Sequence, residues 1–276
     1  MCTRFAPSPT GLLHLGHVYA AKFARDLAQA SGAEFLLRFE DIDGTRVRDE
    51  FYLACEQDLA WLGLDWHGTP LRQTDRFPAY TQALEDLKSR HVVYPCFCTR
   101  REINDEITAI GGAPHEGDQG PLYPGTCRAL TEKQRWNRIA AGEPHCWRLN
   151  ATAASELTGT LHFKDVLHGT IEVNPFLLGD VVLARKDIPT SYHIAVVVDD
   201  AMQKITNVTR GEDLLSSTHV HRLLQNLLGL PTPLYHHHLL VTDGHGKRLA
   251  KRDHALGIQT LREQGKSPAE VLAMIS

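Results

Sequence analysis

Positive charge is not in surplus in this chain: 29 Lys and Arg stand against 33 Asp and Glu, a formal net charge of −4 over 276 residues. Binding to nucleic acid through a globally basic surface is thereby excluded, and any such partner must meet a local basic patch. No apolar stretch approaches the roughly 18 residues of a membrane-spanning helix, and no charged leader with a hydrophobic centre opens the chain. The expectation is a cytoplasmic protein with no membrane partner. A disulfide framework is also missing. The six cysteines, Cys2, Cys55, Cys96, Cys98, Cys127 and Cys146, are unevenly placed, and C-x-C is too tight for one, which points to metal or free thiols in a reducing compartment. What is present is ordinary for a soluble globular protein: 42% hydrophobic and 22% charged residues, with length enough for one large domain plus an insertion, or for two domains.

The most distinctive stretch opens the chain: Arg4-Phe5-Ala6-Pro7-Ser8-Pro9-Thr10-Gly11-Leu12-Leu13-His14-Leu15-Gly16-His17. Thr3 to Ala6 predicts a short strand, and the two prolines with Gly11 predict a tight turn. Leu15, Val18, Ala21 and Leu27 recur at helical spacing, so a helix starts near His14 and ends at Ser31-Gly32. The unpaired N–H groups and positive dipole end of such a helix favour an anion, phosphate first of all. His14 and His17, three apart, face the same way and can donate to phosphate oxygens, while Gly16 leaves room for a flat nucleobase to approach the backbone. A lone H-x-x-H is more often a capped helix with half-buried histidines. Phe35 to Phe39 predicts a second strand, mostly apolar, ending in Glu40-Asp41-Ile42-Asp43. Together they form a βαβ unit in which Ser8, His14, His17 and Glu40 converge at the carboxyl ends of the strands. Asp41 and Asp43 read equally as loop or cap residues.

Taken whole, the fourteen-residue string closely resembles the signature around the HIGH motif of class I aminoacyl-tRNA synthetases, in the glutamyl and glutaminyl branch that carries the PSPTG turn. The resemblance implies an α/β fold with a Rossmann-like parallel sheet and an inserted zinc-binding, β-rich, acceptor-type subdomain. It implies ATP, with Mg²⁺, bound at His14, Gly16 and His17. It also implies that Glu40 meets the ammonium of an L-glutamate substrate, with Arg4, Ala6 and Ser8 at the same site.

Helices follow over 49–62, closed by Gly63, and over 76–90; both read as structural, with Cys55 a small core residue. The stretch from Tyr94 to Arg128 crowds glycine and proline and needs a staple. Cys96-Phe97-Cys98 and Cys127 supply three thiolates for a tetrahedral metal site; His115, Cys146 and Tyr123 are the open choices for the fourth ligand. Here the resemblance selects Tyr123, because short glutamyl synthetase-like proteins carry a C-x-C…Y-x-x-x-C zinc site, one structural Zn²⁺ per chain, in this insertion. A helix over 131–141 is capped by Thr131 with Gln134. Short β runs at 146–149, 159–163, 169–173 and 181–185 predict an antiparallel ribbon between the halves of the parallel sheet. The boundaries expected are 1–94 for the first half of the catalytic domain, 95–188 for the insertion and 189–276 for the second half.

The sheet is expected to return at Ser191 to Asp200, a hydrophobic run ending in two carboxylates, and at Ile205 to Thr209. The string through Arg210-Gly211-Glu212-Asp213 again resembles the glutamyl synthetase core, which implies that Tyr192 and Arg210 line the glutamate pocket. A guanidinium suits a side-chain carboxylate, with Arg4 the other candidate; without the flanking match, Arg210 reads as a salt bridge to Glu212 or Asp213. His193 stands where the family usually has asparagine. A helix over 214–228 follows, and His236-His237-His238 reads as structural, since adjacent residues on a strand point to opposite faces. Arg248-Leu249-Ala250-Lys251-Arg252 resembles the KMSKS loop with Arg248 for its first lysine and Ala250 for its serine, which implies ATP contacts from Arg248 and Lys251, the latter catalytic with His14 and His17. After Asp253 only two short helices are expected, and no anticodon-binding domain. That outline resembles short synthetase paralogues that transfer glutamate to queuosine in the anticodon loop of tRNA(Asp), and a monomer is expected. Two other classes stay open: a small nucleotidyltransferase of the H-x-G-H type and a non-catalytic paralogue that binds tRNA.

Overall fold

The computed structural model describes residues 1–109, 122–240 and 257–275. The first half runs β1 (Cys2–Phe5), α1 (Leu15–Ala30), β2 (Glu34–Phe39), α2 (Asp49–Trp61), β3 (Leu71–Arg72), α3 (Phe77–Ser89) and β4 (Val93–Cys96). The middle contains α4 (Arg100–Ala109), α5 (Glu132–Ala140), β5 (Cys146–Leu149), α6 (Ala151–Thr158), β6 (His162–Asp165), β7 (Gly169–Glu172) and β8 (Val182–Ala184). The last part contains α7 (Tyr192–Met202), β9 (Asn207–Gly211), α8 (Leu215–Leu227), β10 (Leu234–His238), α9 (Ile258–Glu263) and α10 (Pro268–Ala273).

Parallel pairing joins β1 to β2 and β2 to β3, and separately β9 to β10 and β10 to β6. The two groups meet at β1 and β9, where the Thr206 N–H donates to the Cys2 carbonyl at 3.1 Å and Thr206 Oγ1 accepts from the Cys2 N–H at 2.8 Å. This is the Rossmann-like parallel arrangement expected. Helix α1 lies close on the sheet because its facing side chains are small: Ala21, Ala24 and Ala28 are buried beside Val18, and Thr3 Oγ1 donates to the Ala24 carbonyl at 2.9 Å. The core formed there, with Phe35, Leu37, Phe39 and Leu59, carries the start of α1 and the end of β2 on one rigid unit.

Three expectations need correction. Ser191 to Asp200 is not a strand: from Tyr192 on it is helix α7, with Ile194 to Val197 buried. A short apolar run buried on all sides has no periodicity to separate helix from strand, and tertiary packing overrode the β preference of the valines. The stretch after β5 holds a helix, α6, capped by the Asn150 side chain accepting from the Ala153 N–H at 3.2 Å. The β runs also do not form one ribbon. Strands β6 and β7 make a hairpin on the edge of β10, whereas β5 and β8 pair antiparallel with β4 in a separate three-stranded sheet. Among the described residues, no helix is long and apolar enough to cross a membrane.

Candidate active site

The turn after β1 is fixed by backbone bonds: the Glu40 N–H donates to the Pro7 carbonyl at 3.0 Å, and the Thr10 N–H to the Ser8 carbonyl at 2.8 Å. The chain then enters α1 with His14 as its N-cap. His14 Nδ1 accepts from the Gly16 N–H at 3.1 Å, and His17 Nδ1 accepts from the His14 N–H at 3.3 Å, an imidazole version of the capping box. The rings stack with centroids 3.7 Å apart. Because both Nδ1 atoms are acceptors, each neutral ring carries its proton on Nε2. The same two side chains therefore cap the helix at its positive end, the end where an anion is favoured. Gly257, where the described chain resumes, forms an antiparallel bridge with His14, and the Ile258 N–H donates to the Leu13 carbonyl at 2.9 Å. Arg248 and Lys251 lie outside the described residues.

Beside this corner is a cavity of about 160 Å³ lined by Arg4, Ala6, Glu40, Tyr192, Arg210 and Gly211, among others. Five residues expected at a glutamate site thus meet there from β1, the turn after it, the end of β2, the start of α7 and β9. Ser8 does not line the cavity; its side chain is exposed on the turn. Gly211 is there for space. A Cβ would lie 2.7 Å from Leu240 Cδ2 and 2.5 Å from Asp213 Oδ1.

The charges lining the cavity are organised by a layer beneath it that the sequence did not disclose. Asp200, buried on α7, accepts from Arg4 Nε at 2.8 Å and Arg4 Nη2 at 3.4 Å, and from Arg38 Nη1 at 2.8 Å. Burial alone would raise its pKa, but the two guanidiniums overcome that and hold it at about 2. Arg4 also donates to the Thr209 carbonyl at 3.2 Å, so it is clamped to both halves of the sheet. Arg38, fully buried, reaches Glu40 at 3.6 Å. The Glu40 carboxyl is pushed up by burial, against the pull of Arg38 and Arg4. Arg210 is buried and, among the described residues, pairs with neither Glu212 nor Asp213; its Nη1 donates to His221 Nδ1 at 2.9 Å. Of these hidden residues only Arg38 left a trace, as a charge inside a buried strand. Asp41 is structural, accepting from Tyr52 Oη at 2.6 Å and from the Thr74 N–H at 2.9 Å, and Asp43 serves its loop through Thr45 and Arg185. The histidine triplet is buried on β10, with His237 Nδ1 2.7 Å from Asp165.

Farther out, the Sγ atoms of Cys96, Cys98 and Cys127 lie within 4.8 Å of one another. Cys98 and Cys127 are 3.4 Å apart, near the edge of about 3.8 Å expected of a tetrahedron with 2.3 Å metal–sulfur bonds. Tyr123 Oη is 3.5 Å from Cys98 Sγ and accepts from the Cys127 N–H at 2.8 Å. The three sulfurs could hold a metal ion, and the Tyr123 hydroxyl lies beside them. Cys146 faces Cys96 across the β4–β5 pair and lies outside the three-sulfur group. The hydrogen bond with Cys96, together with burial, pushes the Cys127 thiol up to about 12. The Arg148 guanidinium sits 4.0 Å over the Tyr123 ring, where it would balance anionic ligands. Between this cluster and α7 is a larger cavity, about 650 Å³, lined by Tyr123, Arg148, Asp180, Tyr192 and His193 among others. Tyr192 borders both cavities.

Comparison with known proteins bears on the chain as a whole. Over all 279 aligned positions, covering 100% of this chain and 99% of the relative, the chain is 47% identical to the glutamyl-Q tRNA(Asp) synthetase of Rhodobacter capsulatus. It is 44% identical to the protein of that name from Nocardia farcinica, over 99% of this chain and 83% of that one. Among solved structures it resembles a glutamate tRNA ligase from Elizabethkingia meningosepticum in complex with its amino acid, with TM-score 0.83 and 30% identity, covering 100% of this chain and 60% of that one. Residues 1–276 match the family of class I tRNA synthetases (E and Q), catalytic domain, and the chain belongs to that family of ligases.

Proposed function

We propose that the protein activates L-glutamate with ATP, without tRNA, and transfers it to the queuosine base in the anticodon loop of tRNA(Asp). A ligase activity of the glutamate–tRNA type follows from the family; the acceptor is our inference from the relatives named glutamyl-Q tRNA(Asp) synthetase. The observation that carries the amino-acid half is the small cavity, with a guanidinium that has no carboxylate partner among the described residues at Arg210, and a carboxylate at Glu40. Free glutamate complements both ends, its side-chain carboxylate on Arg210 and its ammonium on Glu40. A small nucleotidyltransferase with the same H-x-G-H turn would have no use for that pair.

In the first step a glutamate α-carboxylate oxygen attacks the α-phosphorus of ATP, forming the glutamyl-adenylate and releasing pyrophosphate. His14 and His17 donate from Nε2 to the phosphates as charge moves onto them, Gly16 lies against the nucleotide, and Mg²⁺ accompanies ATP as in class I synthetases generally. Lys251, with Arg248, is assigned to the same phosphates by its resemblance to the KMSKS loop, and Gly257 anchors the chain beyond it to His14. In the second step a queuosine hydroxyl attacks the adenylate carbonyl, AMP leaves, and an ester forms. The larger cavity, which shares Tyr192 with the glutamate pocket, offers the acceptor a route. One Zn²⁺ on Cys96, Cys98, Tyr123 and Cys127 would hold that wall together structurally. We assign the protein to the cytoplasm and to a monomeric state.

The test is ATP–pyrophosphate exchange without tRNA. Exchange with glutamate, and none with aspartate or glutamine, is expected; tRNA(Asp) carrying queuosine should then accept glutamate while the unmodified tRNA does not. Exchange that ignores glutamate, or folded and zinc-loaded protein that exchanges with no amino acid, would sink the proposal.

A further inference from the structure

Arg210 is the cation that this pocket offers to an incoming carboxylate, and its aim is set from behind. A guanidinium has only donors, so at 2.9 Å His221 Nδ1 must be the acceptor, and the neutral ring then carries its proton on Nε2. That Nε2 is 3.2 Å from His193 Nδ1, which therefore accepts in turn and leaves His193 protonated on Nε2. His221, 0% exposed, has no water to fall back on, while His193, 6% exposed, borders the larger cavity. Burial and the Arg210 charge push both pKa values down, that of His193 to about 4, so each stays neutral at pH 7. The chain of bonds joins β9, α8 and the first turn of α7, next to Tyr192.

We propose that His221 is a positioning residue for carboxylate recognition: it orients the Arg210 guanidinium by accepting from Nη1, and His193 holds His221 in the tautomer that can accept. This rests on the reading of Arg210 as the partner of the glutamate side chain. It also accounts for histidine at position 193 where the resembled synthetases usually have asparagine. An asparagine Oδ1 presents an acceptor where His193 Nδ1 now sits, so the two residues are equivalent to His221.

The test measures KM for glutamate and for ATP in pyrophosphate exchange by His221→Leu, His221→Asn, His221→Gln and His193→Asn, each checked by its thermal unfolding transition. Asparagine at 221 keeps an acceptor at the Nδ1 position, glutamine places its polar atoms at the Nε2 position, and leucine keeps neither. His221→Leu and His221→Gln should raise KM for glutamate about 10- to 100-fold, the scale of one hydrogen bond to a charged group, with KM for ATP within about twofold. His221→Asn and His193→Asn should stay within about threefold of wild type for both substrates. If His221→Leu does not fold, the asparagine and glutamine variants decide. Equal glutamate KM in those two, or an ATP KM that rises in step, overturns the proposal. A wild-type protein that neither exchanges with nor binds glutamate removes the reading of the pocket itself, a result separate from any ranking of the variants.

Discussion

At the end of the site proposed for ATP, His14 and His17 are one helical turn apart in sequence and stacked in space, and each is held by a backbone N–H of the same turn. At the end proposed for glutamate, Arg4, Glu40, Tyr192 and Arg210 arrive from both ends of the chain, and Asp200, Arg38 and His221 hold the arginines and Glu40 in place from below. The first needs only a correctly started helix. The second exists only when the two halves of the sheet have met, because Arg4 binds Asp200 and the Thr209 carbonyl together. A local device can lose one donor and stay folded, whereas a buried charge cluster couples recognition to stability.

That contrast is sharpest at Asp200. Asp200→Ala leaves the Arg4 and Arg38 guanidiniums buried without their shared counterion, and breaking such a pair costs about 3–5 kcal/mol. Denaturant unfolding should show that loss, with glutamate binding weakened in whatever remains folded. A loss below about 1 kcal/mol would mean that water replaces the carboxylate and that the cluster is less closed than its burial implies.

His17→Ala should behave in the opposite way. Removing one preorganised donor lowers adenylate formation by roughly 10²–10³-fold, while the unfolding transition moves little because His14 still caps the helix through Gly16. Single-turnover adenylate assays separate the two readings. A rate near wild type would leave the histidines as cap residues only, the plain meaning of an H-x-x-H pair.

The same contrast explains what could be read from the chain in advance. The strand, turn and helix around His14 are specified by contiguous residues, and the structure reproduces them. The strings around Tyr192 and Arg210 mark them, yet the sequence predicts strand where Tyr192 opens a helix, because Ile194 to Val198 carries β-branched residues with no polar face to betray a helix. Asp200 and His221 gave no local sign: a carboxylate after an apolar run and a histidine on an amphipathic helix become functional only through partners far away in sequence. The fold of the sheet was legible because hydrophobic patterning is local, and the lower layer of the pocket was not because pairing is not.

Acidification should act on the glutamate end first. The His193 pKa falls from the ordinary 6.5 to about 4 in the folded protein, through burial and then Arg210. A depressed pKa contributes stability in full above 6.5 and loses it as pH falls toward 4, since the unfolded chain takes up the proton first. Between pH 7 and pH 5 this one group removes about 2 kcal/mol. Urea unfolding at the two pH values should show the decline, and His193→Asn should make it shallower. An unchanged slope would mean that His193 is protonated in the folded state as well, at odds with its acceptor role toward His221.

The smallest effect is expected at Ser8. The resemblance implies that it joins the glutamate ligands, yet the serine is exposed on the turn and away from the cavity lining. The Ser8 carbonyl accepts from the Thr10 N–H, and alanine keeps that bond. Ser8→Ala should therefore change KM for glutamate by less than about threefold, within the scatter of an exposed substitution. A rise of about tenfold would correspond to one lost hydrogen bond to a charged group. It would show that the turn between Pro7 and Gly11 closes over the bound amino acid, so that the glutamate end, for all its buried charge, is completed by the same local segment that sets the histidines.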